Sequence, residues 1–172
     1  MSEQDRQAAG GRILLVEDDR PLREMLAEFL AGLGHEVSSA GTLRAADEHL
    51  RSSGTDLVLT DLMLERGTGI DLLHRVRERE LPVEVIIMTG HGNVETAVQA
   101  IRDGAYDFLT KPIDLRRLEF AVHKALEKRR LEDDLRRLEA GSRDRFGGLV
   151  GISPAMRSVF GLLERRTTPC TS

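Results

Sequence analysis

Five polar residues stand where four short apolar runs end. Asp18 and Asp19 follow Ile13-Leu14-Leu15-Val16 by way of Glu17, Asp61 follows Leu57-Val58-Leu59, Thr89 follows Val83-Glu84-Val85-Ile86-Ile87-Met88, and Lys111 follows Tyr106-Asp107-Phe108-Leu109. Three carboxylates brought together repel one another, and a hard divalent cation relieves that repulsion. Mg²⁺ suits such a set, because it takes one or two carboxylates, keeps several waters and leaves room for phosphoryl oxygens. The chemistry implied is an acid pocket that receives a metal and a phosphate, with Lys111 as its fixed cation. Taken singly, each residue has an ordinary use. Asp18-Asp19 before Arg20-Pro21 reads as a helix cap, Asp61 as turn chemistry, Thr89 as a loop hydroxyl and Lys111 as a solvated charge. Their shared position at one end of several strands is what sets them apart.

The elements that must carry them are legible as alternation. The four runs and a weaker one, Glu36-Val37-Ser38-Ser39, read as strands covered on both faces. Between them Leu22, Met25, Leu26, Phe29, Leu30 and Leu33 mark one helical stripe, Ile70, Leu73 and Val76 a second, and Val94, Ala97, Val98 and Ile101 a third. Pro21 fits a first helical turn, Gly32 and Gly34 a helix stop, and Asp114 an N-cap for the last helix. Five strand and helix repeats predict an α/β fold, a flavodoxin-like (βα)5 doubly wound parallel sheet with strand order 2-1-3-4-5. Chemistry in such sheets sits beyond the carboxyl ends of the strands.

Composition limits the function classes. At 172 residues, 40% apolar and 31% charged, the chain fits one domain and an appendage. Residues 1–112 carry 12 Lys and Arg against 20 Asp and Glu, net −8, whereas the remainder carries 13 against 9, net +4. The acidic front disfavours nucleic acid, and 5 Phe with 1 Tyr supply no stacking platform for single strands. No apolar run approaches the ~18 residues of a membrane span, and MSEQDRQAAGG lacks the apolar stretch of a secretory signal, so a cytoplasmic location is expected. The single cysteine, Cys170, makes no internal disulfide, which suits a reducing compartment.

LLVEDDRPLR, DLVLTDLMLERGTGIDLL, VIIMTGHG and GAYDFLTKPID, in that order, resemble the receiver domain of two-component response regulators. The resemblance implies that Asp61 is the phosphoacceptor, that Asp18 and Asp19 are the metal-binding acid pair with Asp19 the direct ligand, and that the backbone carbonyl of Met63 completes the protein's share of the Mg²⁺ shell. It also implies that Thr89 and Lys111 contact the phosphoryl group, that Lys111-Pro112 is a cis bond, and that Phe108 is the aromatic switch. Glu65 stands where the family commonly has proline, and Phe108 lacks the hydroxyl of a tyrosine switch. The expected partner is a sensor histidine kinase. The expected readout is the face of the fourth helix, fifth strand and fifth helix, with homodimerisation and no enzyme activity beyond self-phosphorylation from small donors and slow self-dephosphorylation.

From Asp114 to Ala140 no Pro or Gly interrupts the chain, so the last helix is expected to extend into a linker, with Leu131, Leu135 and Leu138 spaced for a short coiled coil. The stretch FGGLVGISPAMRSVFGLLE resembles the opening of the AAA+ domain of sigma-54-dependent activators of the nitrogen-regulator type, yet no ATP-binding loop follows. The expected organisation is a disordered N-terminus at 1–11, a receiver at 12–126, a helical linker at 127–142 and a truncated AAA+ stub at 143–172, with DNA and sigma-factor contacts left to absent domains. Two other readings stay open: a phosphate-independent dimerisation module, and an aspartyl-phosphate phosphotransferase or phosphatase. The latter would want a second carboxylate two residues after Asp61, where Met63 stands.

Overall fold

The computed structural model describes residues 10–52, 54–90 and 94–147, with side chains described to residue 142. Most of the N-terminus expected to be disordered, most of the AAA+-like stub and Cys170 lie outside the described residues. The elements in order are β1 (Arg12–Val16), α1 (Arg20–Gly32), β2 (Glu36–Ala40), α2 (Leu43–Ser52), β3 (Leu57–Asp61), α3 (Gly69–Glu78), β4 (Glu84–Thr89), α4 (Val94–Arg102), β5 (Asp107–Thr110) and α5 (Leu115–Gly147). The sheet runs β2-β1-β3-β4-β5 with every pair parallel, the flavodoxin-like order expected from the alternation. Met63–Leu64 and Gly67–Thr68 add a short antiparallel pair between β3 and α3. The chain divides into a unit ending at Leu131, which holds the sheet, and a second beginning at Glu132.

Two apolar layers cover the sheet because successive strand residues face opposite ways. Ile13, Leu15, Leu57, Leu59, Ile86 and Met88 pack with Leu26 and Leu30 of α1 and Leu118, Val122 and Leu126 of α5. Leu14, Val16, Val58 and Ile87 pack on the other face with Leu50 of α2, Leu72, Leu73 and Val76 of α3, and Ala100 of α4. Fully burying each such Leu, Ile or Val side chain stabilises the fold by about 1.5–3 kcal/mol, so the sheet is a rigid platform for whatever its strand ends carry.

The local signals act where expected at α1 and α5. Pro21 lies in the first turn of α1, and Gly34 follows that helix with φ +95°, a conformation a side chain would strain. The Asp114 carboxylate accepts the Arg116 N–H at 2.9 Å at the start of α5. Two expectations need correction. On α4 the residues turned inward are Ala97 and Ala100, while Val94, Val98 and Ile101 stay 57%, 43% and 39% exposed. The helix is set with its small side chains against the sheet, and the β-branched stripe faces out. The last helix also continues past Gly141 to Gly147, since an internal glycine costs only about 1 kcal/mol and does not by itself end a helix.

Half-buried His35, after α1, gives a pH prediction. Its Nδ1 accepts the Gly11 N–H at 3.1 Å, so that nitrogen must be unprotonated. Burial, then the Arg130 charge and His123, hold its pKa below the ordinary 6.5. The folded state thus takes up this proton less readily than the unfolded chain, and its contribution to stability, full above pH 6.5, is lost as pH falls. His35→Gln, whose amide oxygen still accepts the Gly11 N–H, is expected to lose less urea-midpoint stability between pH 7.5 and 5.5 than the unaltered chain. Equal losses would remove His35 from the account.

Candidate functional site

The strand registers bring the polar ends together. Val16 pairs with Thr60 across β1 and β3, so Glu17 and Asp61 leave neighbouring strands side by side. Asp61 pairs with Met88 and Thr89 with Thr110, and the Lys111 N–H donates to the Thr89 carbonyl at 2.7 Å. The Lys111-Pro112 bond is cis. Glycine is required behind Asp61: a Cβ on Gly69 would meet the Asp61 carbonyl oxygen at 2.4 Å, so only a bare backbone lets α3 begin this close to the end of β3. Thr68 then caps α3 in a reciprocal pair with Asp71, the Asp71 N–H donating to Thr68 Oγ1 at 3.2 Å and the Thr68 N–H to Asp71 Oδ2 at 2.8 Å.

The Lys111 ammonium is held by two carboxylates, donating to Asp61 Oδ2 at 2.7 Å and to Glu17 Oε2 at 3.0 Å. Burial pulls the lysine pKa down, but these two bonds together with the charges of Asp61 and Glu17 outweigh it and the net shift is upward, which favours the cation. Glu17 is 1% exposed, and burial pushes its carboxyl up to about 7 in spite of the Lys111 bond, with the Asp61 charge adding to the rise. The Met63 N–H lies 3.3 Å from the other Asp61 oxygen, Oδ1.

Glu17, Asp18 and Asp61 each offer one carboxylate oxygen, and these three atoms lie within 4.8 Å of one another. One lysine opposes three such groups. The surplus negative charge is what a divalent cation would relieve, and all-oxygen donors are the set that Mg²⁺ takes. The residues therefore fit the metal.

The structure corrects the acid pair by one residue. Asp18 joins the cluster, but its partner there is Glu17, whereas Asp19, expected as the direct ligand, is the N-cap of α1: its Oδ1 accepts the Leu22 N–H at 3.1 Å and its carbonyl accepts the Arg23 N–H at 2.9 Å. Asp19 is the extended residue from which α1 starts, so the third acid of Glu17-Asp18-Asp19 serves the helix terminus. Glu17 was legible in principle. Aligning Leu14-Leu15-Val16 with Val58-Leu59-Thr60 as parallel neighbours sets Glu17 beside Asp61. Thr89 is fully buried at the end of β4, its hydroxyl donating to the Gly90 carbonyl at 3.3 Å. Phe108 pairs with Ile87 and packs, partly buried, on the α2 and α3 layer. Residues 91–93, in the loop expected to join Thr89 to the fourth helix, lie outside the described residues.

A parallel sheet of this order with an acid cluster and a lysine at its carboxyl ends defines a class. Residues 13–123 match the family model of the response regulator receiver domain, and the chain belongs to that family. It is 37% identical over 161 residues to the response regulator protein PilR of Pseudomonas aeruginosa, covering 92% of this chain and 35% of PilR. It is 34% identical over 153 residues to the DNA-binding transcriptional regulator NtrC of Azospirillum brasilense, covering 89% and 32%. The chain thus spans about a third of the length of these curated relatives. Among solved structures, the receiver domain of a LuxO repressor homologue from Vibrio parahaemolyticus superposes with TM-score 0.70 at 35% identity, covering 73% of this chain and 97% of that one. NtrX from Brucella abortus gives 0.71 at 36%, covering 91% and 34%.

Proposed function

We propose that this chain is the phosphoacceptor part of a transcriptional regulator, in which Asp61 takes a phosphoryl group from the phosphohistidine of a sensor kinase. The observation that carries the reading is the Lys111 ammonium bonded at 2.7 Å to an Asp61 carboxylate that shares its cavity with Glu17 and Asp18. In the step, an Asp61 carboxylate oxygen forms the new bond to phosphorus while the bond from phosphorus to the histidine nitrogen breaks, and the freed imidazole takes a proton from water. Lys111 neutralises a phosphoryl oxygen, and the Thr89 hydroxyl turns from Gly90 to donate to another. Asp18, Asp61 and the Met63 carbonyl would hold Mg²⁺, with Glu17 beside them and Asp19 retained at the helix terminus. The bound metal would supply charge neutralisation at the phosphoryl oxygens.

The added phosphate brings about −1.5 to −2 of charge and biases the Thr89 loop, with Phe108 repacking behind it. Signal would leave through α4, β5 and α5, and the exposed Val94, Val98 and Ile101 on α4 give that face an apolar surface for a second copy. The dimeric, beryllofluoride-activated NtrC4 receiver, 32% identical with TM-score 0.65 and covering 69% of this chain and 98% of that one, supports a homodimer. Leu135 and Leu138, 60% and 71% exposed on α5, support a coiled-coil contribution from the linker. The relatives' names support a role in transcription. Among the described residues no helix is long and apolar enough to cross a membrane.

The experiment is intact mass spectrometry after incubation with acetyl phosphate. One phosphoryl group is expected with Mg²⁺ present and none with EDTA, and labelling indifferent to the metal would overturn the reading.

A further inference from the structure

One cavity has none of the carboxylate cluster in its walls. It lies between α2, α3 and the short hairpin that follows Asp61, has a volume of about 540 Å³, and is walled by Arg44, Arg51, Arg66 and Arg75 with Asp47 and Glu48. Four arginines face two carboxylates, and both carboxylates are already committed. Glu48 pairs with Arg44 at 3.0 Å. Asp47, almost buried, pairs with Arg51 at 3.0 Å and Arg75 at 3.7 Å, and also with Arg79 at 2.8 Å from outside the cavity wall. The Arg79 guanidinium, aided by Arg51 and Arg75, holds the Asp47 carboxyl below its usual range, so it remains a single ionised group beside three cations. Arg66 makes no ion pair among the described residues.

The backbone adds to this excess. Thr42, Leu43 and Arg44, at the amino end of α2, also line the cavity, and the first turn of that helix carries no acidic residue. Thr42 Oγ1 accepts the Ala45 N–H at 3.2 Å. The amino terminus of a helix favours an anion, and the carboxylates nearest this one, Asp47 and Glu48, are held by arginines. Guanidinium groups bind oxyanions through paired, charge-assisted N–H donors, and these come from α2, α3 and the hairpin at once. Among the described residues no aromatic ring lines the cavity, so a nucleobase would find nothing there to stack on.

From this arrangement we infer that the cavity is a binding site for a compact oxyanion with two or more negative charges, held by Arg44, Arg51, Arg66 and Arg75. The inference is independent of the phosphoacceptor reading, because among the described residues none of these arginines pairs with Glu17 or Asp61.

The test is calorimetric titration of the full chain with inorganic pyrophosphate in Mg²⁺-free buffer, against chloride at matched ionic strength. Saturable one-to-one binding is expected. The Arg44→Gln/Arg66→Gln double variant should weaken it by about tenfold or more while keeping the unfolding midpoint, since Arg44 is a surface side chain and Arg66 makes no ion pair. Lys111→Met should leave this binding in place. Citrate serves as a second probe: comparable affinity supports the site and assigns it to polycarboxylates, and much weaker affinity assigns it to phosphates. No saturation beyond the chloride control, or binding that survives the double arginine variant, overturns the inference.

Discussion

Asp61→Asn is expected to abolish labelling by acetyl phosphate, with no phosphoryl adduct at times when the unaltered chain is fully modified. The amide keeps the shape of the carboxylate, and its oxygen still accepts from Lys111, so the pocket stays assembled while the nucleophile is lost. Two other carboxylates sit close enough to be tested by the same variant. Glu17 is buried, already bonded to Lys111 and raised to about 7, which disfavours the anion a nucleophile needs. Asp18 is exposed, lacks the lysine contact and accepts the Asp19 N–H at 3.0 Å. Neither should substitute. Mass spectrometry on the variant, with circular dichroism to establish folding, checks the expectation, and an adduct retained on a folded Asp61→Asn chain would assign the chemistry to another carboxylate.

Lys111→Met is expected to slow the same labelling by about a hundredfold or more, the usual consequence of removing one preorganised electrostatic group from a transition state. The stability effect is equally diagnostic. Lys111 is the cation that Glu17 and Asp61 share, and methionine fills the volume of its stem while leaving both carboxylates unopposed. Breaking a buried pair by removing one partner costs about 3–5 kcal/mol, and the ammonium's partial exposure brings the expected loss toward the lower end or below it. Urea denaturation in EDTA reads this loss, and adding Mg²⁺ should restore part of the midpoint in Lys111→Met. A variant as stable as the unaltered chain in EDTA would show that the carboxylates do not depend on this lysine.

The amino-acid sequence by itself determined the alternation of strands and helices, and through it the sheet order and the end of the sheet to inspect. Residues that repeat every two positions or every three to four carry that information locally, in runs such as Ile13-Leu14-Leu15-Val16 and Leu22-Met25-Leu26. It also determined that Asp61 and Lys111 stand at the ends of strands, because each follows a short, mainly apolar run. What only the tertiary structure decided depends on register and rotation between elements far apart in the chain. Val16 beside Thr60 makes Glu17 the acid that meets Lys111, 94 positions away, while the backbone turn at Asp19 gives that carboxylate to a helix cap. The rotational setting of α4, with Ala97 and Ala100 inward, was hidden because Val94, Ala97, Val98 and Ile101 form an equally regular stripe, and closeness to the sheet selects the smaller side chains. The arginine cavity left no sequence signal at all. Its four cations are scattered singly through α2, the hairpin and α3, and only packing those elements together turns separate surface charges into one concentrated field.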